Sequence, residues 1–148
     1  MRRQHPMDAG GASITLGYAA VQDENATQDV DAENMGLKIV SGDISLIISQ
    51  GGYEASDEDR QNMGAAISYN MPNGMTVGAY TFKSEDDLDA GEEYTRSGVE
   101  AQYTIASGLT AVINVDDYEY KLGTAADTYT ATVSDSGTSS KLTIKAAF

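Results

Sequence analysis

The chain has 148 residues, 9 Lys plus Arg against 23 Asp plus Glu, and a formal net charge of -14, a surface that repels phosphates and excludes nucleic acid as a partner. It has no cysteine and one histidine, His5, which removes disulfide frameworks, thiol nucleophiles and His-based catalysis. No apolar run is long enough for a membrane helix, but a transmembrane barrel needs only strands of about 9–11 residues. Fifteen Gly and nine Tyr, among many Thr, Ser, Val and Ile, favour an all-β chain.

Met1, Arg2 and Arg3 start like an export signal, but Gln4, His5, Pro6 and Asp8 stand where its apolar stretch should be. Residues 1–11 are therefore expected to be a disordered or truncated start, and the folded unit is expected to run from 12 to 148. Eight segments then alternate at period two, the spacing at which a strand sends side chains to opposite faces. The first, 12–22, sets Ile14, Leu16, Tyr18 and Ala20 against Ser13, Thr15 and Gly17. The second, 34–40, sets Met35, Leu37 and Ile39 against Gly36 and Lys38; the third, 43–52, carries Ile44, Leu46 and Ile48, with Ile47 out of pattern. In the fourth, 62–70, Met63, Ala65, Ile67 and Tyr69 oppose Gly64, Ala66 and Ser68.

The fifth, 75–83, mixes its parity: Met75, Val77 and Ala79 oppose Tyr80 and Phe82, and a bulge would switch faces there. The sixth, 94–105, sets Val99, Ala101, Tyr103 and Ile105 against Arg96, Glu100 and Gln102. The seventh, 109–121, sets Leu109, Ala111, Ile113 and Val115 against Asn114 and Asp116. The last begins near Ser139 and ends KLTIKAAF, with Leu142, Ile144, Ala146 and Phe148 on one face and Lys141 and Lys145 on the other.

Connections alternate strictly between long and short. Ser41-Gly42, Pro72-Asn73-Gly74 and Ala106-Ser107-Gly108 are tight and carry turn residues. Residues 23–33, 54–61, 84–93 and 122–138 form the long ones and hold 17 of the 23 acidic residues. An up-and-down meander gathers the short turns at one end and the acidic loops at the other, the asymmetry of outer-membrane barrels. Tyr53, Tyr69, Tyr94, Tyr103 and Phe148 flank the apolar stretches and are candidates for an aromatic girdle at the two interfaces. Lys38, Arg96, Glu100, Asp116, Lys141 and Lys145 are candidate pore-lining residues, because the opposite face is apolar. The acidic segment of Asp86, Asp87, Asp89, Glu92 and Glu93 offers hard oxygen ligands for Ca²⁺, against the simpler reading of a solvated, self-repelling loop. No other cofactor is expected.

YNMPNGMTVGAY (69–80), YTIASGLTAVINVDDYEYKLG (103–123) and the ending SSKLTIKAAF resemble the C-terminal half of alphaproteobacterial general porins. The resemblance covers roughly 12–148 and implies an antiparallel up-and-down transmembrane β-barrel, eight strands here of a sixteen-stranded whole. It further implies a homotrimer in the outer membrane of a Gram-negative bacterium, embedded in lipid, passing small hydrophilic solutes passively and without enzymatic chemistry. Leu142, Ile144, Ala146 and Phe148 resemble the terminal signal read by the barrel assembly machinery. Competing readings are a non-channel eight-stranded barrel acting as anchor or adhesin, and a soluble secreted β-sandwich binding module.

Overall fold

The computed structural model describes residues 2–25, 28–55, 58–86, 92–122 and 134–146. They form nine strands: β1 (Arg2–Ala9), β2 (Ala12–Asn25), β3 (Gln28–Ser41), β4 (Ile44–Ala55), β5 (Glu58–Asn70), β6 (Met75–Asp86), β7 (Glu92–Ala106), β8 (Leu109–Lys121) and β9 (Ser134–Ala146). Each pairs antiparallel with its neighbours in sequence, in the order β1 to β9, so β1 and β9 are the edges of one sheet.

Three expectations change. The start expected to be disordered is strand β1, joined to β2 by Gly10 and Gly11, whose φ values of 61° and 96° fit the two-residue hairpin turn that needs positive φ twice. Pro6 fits there because an edge strand leaves one side of its backbone unpaired. The first two long loops are hairpin extensions: pairing continues to Asn25↔Gln28 and to Ala55↔Glu58. Nor does β6 contain a bulge. Its register against β5 and β7 runs unbroken past Tyr80 and Phe82, which simply face the same way as Arg96 and Asp116; the one irregularity lies between Thr104 and Ala106 on β7.

The short turns share one end, where the Asn70 amide donates to the Asp43 carbonyl at 2.8 Å, tying one turn to the next. In the 71–74 turn the Gly74 amide donates to the Met71 carbonyl at 3.1 Å, with Gly74 at φ 81°.

Pairing fixes which residues share a face. Met7, Ile14, Ile39, Leu46, Ile67, Ala79, Val99 and Val115 follow one another from β1 to β8 as a single apolar row. That face is exposed: Val99 keeps 58% of its accessible surface, Ile67 51% and Leu142 69%. The buried residues among those described, Ser84, Asp86, Val112 and Asp116, all lie on the opposite, mainly polar face, and three of them are polar. A soluble domain hides its apolar face. This sheet does the reverse, as a wall between lipid and a wet interior must.

The apolar band also runs obliquely. Its upper edge is Tyr18 on β2 and Leu142 on β9, and the register row of Leu142 meets β2 at Ala12, six residues below Tyr18. With ~3.4 Å per residue and ~4.8 Å between strands, that drop over seven strand steps is a slope of roughly 30°. A band level with a membrane crosses strands at such an angle only if they tilt, and membrane barrels tilt theirs by ~35–45°.

Candidate functional site: the polar face

All six candidate pore residues share the polar face. Lys38 lies in the same register row as Asp116; Arg96 is two residues from that row, and Glu100 pairs with Asn114, which pairs with Lys141. Lys145 stands opposite Thr110, close to the short-turn end. Their environments differ sharply.

Asp116 is 2% exposed and is packed among its neighbours on that face. The Arg96 guanidinium donates to its Oδ2 at 2.6 Å, and the Tyr80 hydroxyl donates to its Oδ1. Both oxygens are therefore bonded, which is what keeps a carboxylate tolerable at that burial. Gly98 makes the space: a Cβ there would sit 2.8 Å from the Val115 carbonyl, 2.9 Å from the Tyr80 hydroxyl and 3.0 Å from Asp116 Oδ1.

That arrangement recurs. Phe82 stands opposite Gly64, Tyr80 opposite Gly98 and Tyr118 opposite Gly137, each ring over a residue with no side chain. A β-sheet glycine covered by a cross-strand aromatic recovers packing that the missing side chain gave up. The small polar-face residues of β5, β7 and β9 are therefore seats for rings. The sequence alone does not mark Tyr80, Phe82 and Tyr118 as ring seats, because the glycine opposite each is 18 or 19 positions away and only register brings it there.

At the loop end of the polar face, Arg60 donates to Glu92 at 2.8 Å and lies 3.6 Å from Asp86. On the other face, Glu93 binds Lys83 at 2.9 Å and Lys121 at 3.2 Å, and Lys83 also meets Glu85 at 2.6 Å. The candidate calcium ligands thus do not converge: Asp86 and Glu92 turn to Arg60, Glu93 turns to the opposite face, and Asp87 and Asp89 lie outside the described residues. Among the described residues no three acidic or His side chains are grouped to hold a metal.

Of the girdle candidates, Tyr69 and Tyr103 lie on the apolar face near the short turns, 41% and 46% exposed. Tyr53 and Tyr94 do not join them. Tyr53 pairs with Arg60, and Tyr94 pairs with Ser84 and Tyr120, so both sit on the polar face, where Tyr94 meets Phe82 with ring centroids 6.3 Å apart. Parity decides this, since each is an even number of residues from a polar-face neighbour. Tyr18, at the upper edge of the apolar band on β2, holds the position expected of them. Leu142, Ile144 and Ala146 share the apolar face of β9; Phe148 lies outside the described residues.

The apolar face is not flat. A shallow hollow of about 530 Å³ is lined by Ile67, Tyr69, Val77, Ala79, Val99 and Ala101, where the small side chains of β6 and β7 lie between larger ones. On the same side, at the acidic end, Gln22, Asp31, Glu33, Gln50, Glu54 and Asp59 line a polar hollow of about 720 Å³.

No family model matches the chain, and no curated protein does. Among solved structures, the chain is similar to an anion-selective porin from Comamonas acidovorans, with a TM-score of 0.66 and 16% identity over 97% of this chain. The chain spans about half of that protein, 47% of its length. At that identity the likeness concerns the fold, which is that of a porin-like, antiparallel up-and-down β-barrel seen here as an open sheet of consecutive strands.

Proposed function

We propose that this chain forms part of the wall of an outer-membrane porin, the C-terminal half of a barrel of the alphaproteobacterial general type, through which small hydrophilic solutes and ions diffuse passively. The observation that carries the reading is the inversion of the sheet. One face presents a continuous apolar band, oblique to the strands, and the other presents ion pairs, hydroxyls and lysines. Such a sheet is stable only with lipid on one side and water on the other.

The mechanism needs no bond chemistry. Polar side chains wet the lumen, paired charges hold its wall in shape, and solutes pass down their gradient. Fold likeness to a porin named as anion-selective supports the class of activity. Because β1 and β9 run in the same direction, an odd number of further strands would close the sheet with antiparallel pairing throughout, as seven more would for a sixteen-stranded barrel. Trimer formation, and recognition of the segment ending in Phe148 by the assembly machinery, belong to the same proposal. The test is planar-bilayer conductance of the complete protein. Stepwise currents are expected, and folded, inserted protein that passes none would sink the reading.

A further inference from the structure

We infer that the lumen wall favours anions, and that Lys38, Lys141 and Lys145 set the preference. The inference rests on the pore reading and goes beyond it. The chain's net charge of -14 points the other way, towards cations, so the distribution of charge has to decide.

On the polar face, the charges of the middle and the short-turn end are Lys38, Arg96, Glu100, Asp116, Lys141 and Lys145 among the described side chains. Arg96 and Asp116 are bound to each other at 2.6 Å, and the carboxylate is buried, so this pair contributes little field to the lumen. Three lysines on the strands then face one glutamate, with Asp43 the one further described acid there, in the 42–43 turn at the rim.

All three lysines are exposed, and none forms an ion pair among the described residues. Lys38 stands between Gly36 and Val40 along its strand and opposite Thr15 and Ile47 across it. Lys145 follows Thr143 on its face and stands opposite Thr110. Lys141 stands opposite Asn114, and Glu100 is one strand further, roughly 10 Å away at the usual strand spacing.

The acidic end does not reach these lysines. On β3 the nearest carboxylate along the strand is Glu33, five residues from Lys38, about 17 Å at the rise of an extended strand. That is twice the Debye length of ~8 Å at physiological salt, so the acidic rim is screened at the depth of Lys38. Inside, where the wall is close on every side, the local excess of positive charge governs which ion is concentrated.

The test measures zero-current potential across a KCl gradient with the complete protein in planar bilayers. Chloride should permeate several-fold better than potassium. The triple variant Lys38→Gln, Lys141→Gln, Lys145→Gln should bring the ratio to one or below while conductance steps persist. Each single variant should lower the ratio part of the way, and Lys83→Gln, on the opposite face, should leave it unchanged. A cation-selective wild type, or a triple variant with an unaltered ratio, overturns the inference and leaves the pore standing. A folded wild type without conductance steps overturns the pore reading, and this inference falls with it.

Discussion

The two halves of the sheet solve the same problem differently. On the polar face, the described side chains of β2 to β4 include Gly17, Gly36, Lys38, Ser45 and Ser49, and none of those described is buried. On β6 to β8 the same face carries Tyr80, Phe82, Tyr94, Arg96, Asp116 and Tyr118, and it includes the buried residues Ser84, Asp86, Val112 and Asp116. The outer face differs too. In the register row Leu16, Leu37, Ile48, Ala65, Thr81, Ser97, Asp117, Thr138, the first four are apolar and the last four polar, with the Thr138 hydroxyl donating to Asp117 at 2.6 Å. One half is thinly packed and its part of the row is apolar; the other is braced from within and its part of the row is polar, as the proposed wall requires if the row rises out of lipid into water. Strand tilt links the two observations, because a level membrane intersects successive strands at successively lower residues.

The sharpest way to break this comparison uses two positions on one row. Leu37→Arg should destabilise the folded protein in bilayers by about 2–4 kcal/mol, the cost of an arginine near the middle of the lipid band. Ser97→Arg should cost about 0–1 kcal/mol, because it lies above the band. Denaturant titrations into lipid vesicles, followed by far-ultraviolet circular dichroism since the chain has no tryptophan, would measure both. Equal losses would mean that the band is not oblique and the strands are not tilted.

Next in size is a glycine pair on the polar face. Gly98→Ala puts a methyl group against the Val115 carbonyl at 2.8 Å, a backbone atom that cannot swing away, and should cost about 1–3 kcal/mol in the same titration. Gly36→Ala meets only the Ile48 carbonyl at 3.6 Å, an ordinary contact. It should be neutral or stabilising by about 0.4–1 kcal/mol, since alanine has fewer unfolded conformations to lose. If both behave alike, the ring-over-glycine packing of β6 to β9 does not brace the wall.

Much of this is legible in the sequence alone. Period-two alternation fixes the strands and their faces, and glycine-bearing turns fix the order of connections; both are local properties of a chain. The properties that were not legible are relations between strands. Tyr80 and Phe82 look like a parity error when β6 is read alone; set against Gly98 and Gly64 they become ring seats. Residues 23–33 and 54–61 read as loops because carboxylates are poor strand formers, yet the alternation carried by Asp31, Glu33 and Met35 continues into the extended hairpin. β1 is hard to read because Arg2 to Pro6 has no apolar alternation, although Gly10-Gly11 ahead of a clear strand is itself a hairpin signal. Tyr53 and Tyr94 border the acidic loops, as girdle residues do, yet parity counted from Ser49 and Arg96 puts them on the polar face.

The smallest effect concerns the acidic end, where the halves again differ. On the outer face of β3 to β5, Asp31, Glu54 and Asp59 are consecutive in one register row, like charges directly opposite one another. On β6 to β8, Glu93 is instead held between Lys83 and Lys121. Salt screens repulsion and attraction equally, and the Debye length falls from ~10 Å at 0.1 M to ~3 Å at 1 M. Raising the salt should therefore slow amide hydrogen exchange at the loop end of β3 to β5 and speed it at the loop end of β6 to β8. The charges are exposed or half-exposed, so each change should be slight, and it is the opposition of sign that tests the idea. Exchange that moves the same way in both places would show that salt acts on the barrel as a whole. The Glu93→Gln variant then separates the contributions: it should weaken the salt response of β6 to β8, where the Lys83–Glu85 and Arg60–Glu92 pairs remain, and leave that of β3 to β5 intact.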